Sequence, residues 1–180
     1  RNWNTQVIGA SPEYARIRAS LPQVGRFFSE EEVKQRARVA VIGTTVWRQL
    51  FGADNPIGQT IKIRKENYLV IGVIPEKGMS SWRDQDDAIL IPVTTAMYRL
   101  LGAQYIGEID IEIADPAAME SSQAEVQQFM IKRRRLPSFE GEPFQIRNMA
   151  EVRDSIAATS RTMSWLLASI AAYSSLALAS

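Results

Sequence analysis

The 180-residue chain has no histidine and no cysteine. The first absence removes imidazole as metal ligand and as a general base near neutral pH, and the second removes thiolate nucleophiles, zinc ribbons, iron–sulfur clusters and disulfides. Acid–base work would fall to carboxylates, lysine or tyrosine. An excess of charge is also missing: 21 basic against 20 acidic side chains leave +1, too little to draw nucleic acid or an anionic membrane by a global field. Gly43, Gly52, Gly58, Gly72, Gly78 and Gly102 form neither GxGxxG nor a P-loop, so a nucleotide site is not expected. No S-x-x-K motif occurs, and the lack of cysteine is neutral about compartment.

The N-terminus, Arg1-Asn2-Trp3-Asn4, offers no initiator Met, basic n-region or apolar h-region, so it is not a signal peptide, and the chain reads as a piece of something longer. Met163 to Ser180 carries no charge over 18 residues and includes Trp165, Leu166, Leu167, Ile170, Leu176 and Leu178. As a helix it would span about 27 Å against a bilayer core of about 30 Å. The segment reads as the start of a truncated transmembrane helix with Trp165 as an interface anchor, the alternative being a terminal helix packed on the domain.

Between these ends the spacing predicts short strands and short helices. A strand over residues 5–8 precedes a turn at Gly9-Ala10-Ser11-Pro12. Ser29 with Glu32 is a capping box, stapled by Phe28 against Val33. Val39-Ala40-Val41-Ile42 is a buried-strand run, and Thr44 caps a second helix stopped by Gly52. A hairpin joins residues 60–63 to 68–74 through a polar turn at 64–67, Pro75 ends it, and a loop over 76–87 leads to a strand at 88–91. A further helix begins at Thr94 or Thr95 and stops at Gly102. Beyond it, Ile109, Ile111 and Ile113 alternate with Glu108, Asp110 and Glu112 as a half-buried strand. Asp115 caps a helix with Pro116 at its first position, running to about Arg134 with the stripe Met119, Val126, Phe129 and Met130. Phe144-Gln145-Ile146 closes a strand–helix–strand unit, and Asn148 with Glu151 caps a helix leading into the apolar tail.

Asp84, Asp86 and Asp87 lack the glycine and terminal glutamate of a calcium loop, and neighbours in one loop seldom face each other across a cleft as glycosidase carboxylates do. They read as a solvated, turn-forming loop. Lys132-Arg133-Arg134-Arg135 reads as a helix end favoured by the dipole, without the interleaved aromatics of a nucleic-acid platform. A carboxylate-dependent hydrolase on Asp84, Asp86 and Glu76 stays open as an alternative.

Gly25-Arg26-Phe27-Phe28, Val39-Ala40-Val41-Ile42-Gly43, Leu50-Phe51-Gly52, Asn55-Pro56-Ile57-Gly58-Gln59, Val70-Ile71-Gly72-Val73-Ile74, Asp86-Asp87 through Ile91-Pro92, and Arg99-Leu100-Leu101-Gly102 form an ordered set. Together they resemble the extracytoplasmic core domain of MacB-type ABC transporter permeases, the macrolide and antimicrobial-peptide export group. The resemblance implies an α+β fold: a β-rich insert with short helices, plus one strand–helix–strand half of a porter-like subdomain and a C-terminal helix leading to a membrane span. On that map residues 1–11 are a remnant of the first porter unit, 12–104 the insert, 105–147 the second porter unit, and 148–180 the stalk and the start of a span. The implied role is non-catalytic: an outer, periplasmic domain of an inner-membrane efflux permease, with ATP bound on a separate domain and no cofactor in this chain. Its implied partners are a second permease copy in a homodimer, the ABC ATPase domain, a periplasmic adaptor, and the membrane through flanking helices, but no nucleic acid. The fragment is expected to self-associate through an uncovered porter surface. Glu76, Lys77, Trp82, Asp84, Asp86 and Asp87 are the first candidates for adaptor contact. A permease of the lipoprotein-release or cell-division type is the nearest alternative.

Overall fold

Short apolar runs bounded by glycine and proline become the strands of one sheet. In the computed structural model, which describes residues 2–80, 83–134, 144–148, 159–160 and 162–165, these are β1 (Gln6–Ala10), β2 (Val24–Gly25), β3 (Val39–Ile42), β4 (Thr60–Ile63), β5 (Glu66–Val73) and β8 (Ala88–Pro92). β6 (Met79–Ser80) and β7 (Arg83–Asp84) pair only with each other. The order is β1-β8-β3-β5-β2, with β4 also on β5. β1 runs parallel to β8 and β3 parallel to β5, and the remaining pairs are antiparallel. The fold is mixed α+β, with α1 (Tyr14–Ile17), α2 (Glu30–Lys34), α3 (Thr44–Phe51), α4 (Val93–Thr95) continuing as a π-helical turn to Leu101, and α5 (Met119–Arg134). Contacts divide the chain into two units, Arg1–Glu112 and Ile113–Ser180.

The first unit buries both faces of its sheet, which is why its central strands are apolar without interruption. Side chains alternate across a strand, so β3 sends Ala40 and Ile42 to one face and Val39 and Val41 to the other. On the first face they meet Val46 of α3, Val70, Val73, Ile89 and Ile91; on the second they meet Phe28, Ile71, Ile74 and Leu90. The β3–β5 register shifts between Ala40 and Val41, and this irregularity lets Val73 share a face with Val70, three positions earlier, while Ile71 and Ile74 lie on the other.

Local signals explain the helices. The Ser29 hydroxyl accepts from the Glu32 N–H while the Glu32 carboxylate accepts from the Ser29 N–H, closing the predicted capping box. Arg26 then grips Glu32 through both terminal guanidinium nitrogens at 2.7 and 2.8 Å, and this hydrogen bonding holds the Glu32 carboxyl below its ordinary pKa. Phe28 and Val33 join the same cluster, as a staple requires. Gly52, at φ +67°, ends α3. In the second unit Asp115 accepts from the Ala117 N–H at 2.9 Å, and a 3₁₀ turn over Pro116–Ala118 leads into α5.

Several expectations change. Thr44 is not the cap of α3 but its first residue: Gly43 takes the cap position, and the Thr44 hydroxyl is buried without a partner. The hairpin turn is tighter than predicted, because Ile63 pairs with Glu66 and leaves only Arg64 and Lys65 between strands. The loop over 76–87 contains the β6–β7 hairpin. Residues 108–113 and 144–146 form no strand. Alternation specifies an extended chain, whereas a strand also needs a neighbouring backbone to bond. Phe129 of the expected stripe is exposed. The proposed helix from Asn148 and the apolar run from Met163 lie for the most part outside the described residues. Among the described residues no helix is long and apolar enough to cross a membrane.

Two substitutions test this packing by urea unfolding. A Cβ at Gly43 would lie 2.0 Å from the Asp86 carbonyl oxygen, so Gly43→Ala is expected to destabilise by about 2 kcal/mol through forced backbone displacement. Tyr68 is fully buried with its hydroxyl unpartnered, so Tyr68→Phe is expected to raise the midpoint, by about 1 kcal/mol in stability.

Candidate functional site

Pro75 cannot donate to a ladder, so the chain leaves β5 and must find other acceptors for its N–H groups before β8 begins. Carboxylates supply them. Asp86, only 3% exposed, accepts from the Lys77 N–H at 2.8 Å and the Gly78 N–H at 2.9 Å. Asp84 accepts from the Asp86 N–H at 2.8 Å with one oxygen and from the Thr45 hydroxyl at 2.7 Å with the other. Asp87 accepts from the Trp3 indole at 2.8 Å. Glu76 is held by both terminal nitrogens of Arg48 at 2.8 and 3.3 Å. The acidic loop is therefore not a solvated turn: its carboxylates tie it to itself, to α3 and to the N-terminal segment.

Lys77 turns inward. Its ammonium donates to the Arg18 carbonyl and to the Ser20 hydroxyl, both at 2.6 Å. Burial pushes its pKa down, the Arg18 charge adds to the shift, and Asp86 opposes it. A lysine amine beside a serine hydroxyl has the composition of a nucleophilic dyad. Ser20, however, is 1% exposed and directs its own proton to the Arg18 carbonyl at 3.2 Å, so no substrate reaches it and the pair acts as a strut. Sequence inspection missed this pair because the two residues are 57 positions apart and follow no motif.

The other end of Arg18 holds the acidic segment after the π-helical turn. Its guanidinium forks onto Asp110 at 2.6 and 2.8 Å and reaches Glu108 at 3.2 Å, while Arg16 pairs with Glu112. The hydrogen bond that Arg18 donates to Asp110 is the main reason the Arg18 pKa lies above its ordinary value.

The structure thus ties five of the six sequence candidates, Glu76, Lys77, Asp84, Asp86 and Asp87, to α3, to Ser20, to the loop's own backbone and to Trp3. Trp82 lies outside the described residues. Among the described residues no group of three or more carboxylates is gathered to hold a metal ion. On the sheet face that packs α3, a groove of about 790 Å³ is lined by Trp3, Val7, Phe51, Ile63, Leu100 and the cations Lys62 and Arg64.

Removing the Asp86 carboxylate would leave two loop N–H groups without their acceptor. Asp86→Ala is expected to cost about 3 kcal/mol and to release the loop to proteolysis, read by denaturant midpoint and limited digestion; an unchanged midpoint would show that the carboxylate is not the anchor.

Comparison with known proteins places this geometry. The family described as MacB-like periplasmic core domain matches residues 1–129. The macrolide export ATP-binding/permease protein MacB of Bdellovibrio bacteriovorus is 55% identical over 97% of this chain, and that of Chlorobium luteolum 46% identical over 95%. The chain spans about a quarter of those relatives, 27% and 26% of their lengths. Among solved structures, the periplasmic region of MacB from Actinobacillus actinomycetemcomitans superposes with a TM-score of 0.69 at 22% identity, covering 84% of this chain and 64% of that one. The extracellular domain of the ABC-type transporter YknZ from Gram-positive bacteria gives 0.61 at 16% identity, over 73% and 65%. These two share the fold. With the family match and the sequence identity together, the chain belongs to the MacB-like periplasmic core domain family.

Proposed function

We propose that this chain is the non-catalytic, periplasmic part of an inner-membrane ABC efflux permease, and that it carries ATP-driven motion outward to substrate export. The observation that carries this reading is the likeness, along nearly the whole chain, to macrolide export ATP-binding/permease proteins. ATP is bound and hydrolysed on a domain outside this stretch. A second permease copy forms a homodimer with the first, flanking helices hold the domain to the membrane, and a periplasmic adaptor receives the substrate. The internally hydrogen-bonded carboxylates of the loop support a scaffolding role, since each already accepts from a group of this chain.

The loop over 76–87 is the proposed adaptor contact. It joins two strands at one end of the sheet, and a rigid sheet that presents an anchored loop is a common arrangement for partner binding. Glu76 is exposed there.

The test uses the full-length transporter in an efflux-deficient Gram-negative host with its adaptor. Wild type is expected to raise macrolide tolerance several-fold in an adaptor-dependent manner. Glu76→Lys combined with Trp82→Ala should lower adaptor capture and tolerance while ATP hydrolysis in isolated membranes continues. Full capture by this variant would remove the loop from the contact, and no adaptor-dependent tolerance in wild type would remove the efflux reading.

A further inference from the structure

The segment from Gln104 to Glu112 is attached to the first unit in an unusual way. Ala103 donates to Met97, and the next backbone-to-backbone bond is Ala118 to Asp115. Among the described residues, no backbone hydrogen bond engages 104–114. What holds the segment is charge. Glu108, Asp110 and Glu112, at alternate positions, face Arg18 and Arg16. Ile109 and Ile111, on the opposite side of the extended chain, are 63% and 56% exposed. The polar contacts of the strap with the unit thus run along its acidic edge, and it leads directly to Ile113, where the second unit begins.

Arg18 is also tied at its backbone. Its carbonyl takes the Lys77 ammonium at 2.6 Å, and Lys77 and Gly78 donate their N–H groups to Asp86. The next residue, Ala19, sits at φ +47°, a left-handed conformation that a non-glycine residue keeps only when its surroundings enforce it. Arg18 thus spans two elements: its guanidinium reads the strap and its carbonyl reads the loop.

We propose that residues 104–112 form a releasable electrostatic latch, and that Arg18 couples its docking to the loop over 76–87. The proposal rests on the loop's role as a partner contact and adds a regulation to it. Two of these contacts, Arg16–Glu112 and Arg18–Glu108, are exposed on the acid's side, and the Arg18–Asp110 fork is only part-buried; pairs open to solvent are individually weak and screened by salt, so a strap with no backbone bond beside them sits near the balance between docked and released. A joint that biases both ends of such a two-state element makes coupling reciprocal: a partner that prefers the loop of the docked state tightens the latch, and release of the latch loosens the loop.

The experiment uses the full-length transporter with no cysteines other than two introduced at Ile109 and Gln35, both spin-labelled. The interlabel distance reports the strap, and hydrogen exchange at the Lys77 and Gly78 amides reports the loop. Asp110→Asn, or raising salt from about 50 mM to 0.5 M, is expected to broaden the distance distribution. Each should also speed exchange at both amides about fivefold, the factor that about 1 kcal/mol from one good solvent-accessible ion pair commands. The exchanged pair Arg18→Asp with Asp110→Arg should restore the narrow distance. A distribution that stays narrow in Asp110→Asn and at high salt overturns the latch. A strap that releases while the two amides keep their protection overturns the coupling through Arg18. Both readouts are independent of adaptor capture, so failure of the proposed function leaves a different signature.

Discussion

The first unit depends on a single buried carboxylate. Asp86 sits where three elements converge: the exit of β5, the entry to β8 and the N-terminus of α3. Its side chain satisfies the N–H groups that Pro75 prevents from continuing a ladder, and its own carbonyl lies against Gly43 so closely that no Cβ fits between them. Because Gly43 must stay bare, α3 starts without a side-chain cap and Thr44 buries an unpartnered hydroxyl. That local cost is tolerated because it lets α3 lay Val46 on the sheet face formed by Ala40, Ile42 and Ile89.

The same corner sets the electrostatics around it. Once Asp86 has fixed the Lys77 backbone, the Lys77 side chain is directed inward to Ser20 and the Arg18 carbonyl, where burial disfavours its charge. Arg18 in turn aims its fork at Asp110. The acids of the loop and of the strap therefore have different work: those of the loop replace missing backbone acceptors, and those of the strap replace missing backbone bonds altogether. The motion-coupling role proposed for this domain would need both, a rigid frame and a segment held by forces that can be broken reversibly.

Much of the secondary structure was legible, for reasons of range. The Ser29–Glu32 capping box, the apolar run at 39–42, Gly52 as a helix stop, the hairpin and the Asp115 cap each depend on residues within a few positions, so composition and spacing suffice. The strap shows where such reading fails. The alternation at 108–113 correctly indicates an extended chain with an acidic edge, but whether that edge meets a sheet, solvent or arginines is not encoded within it. The loop fails for a related reason: three aspartates beside glycine and serine look solvated, and only the position of Thr45, Trp3 and the Lys77 backbone makes them internal acceptors.

The sequence alone determined that this protein has no thiol or imidazole chemistry, that its charge is nearly balanced, and that its first hundred residues alternate short strands with short helices. It also carried, in an ordered set of short motifs, the family to which the chain belongs. The tertiary structure decided which groups became partners: Ser20 with Lys77 across 57 positions, Arg18 with Asp110 across 92, Trp3 with Asp87 across 84. Those pairings follow from a strand order in which β1 lies beside β8 and β2 beside β5, each pair distant in sequence. Local propensity acts over one or two turns of chain, whereas the meeting of such distant side chains is fixed only when the sheet closes around its core.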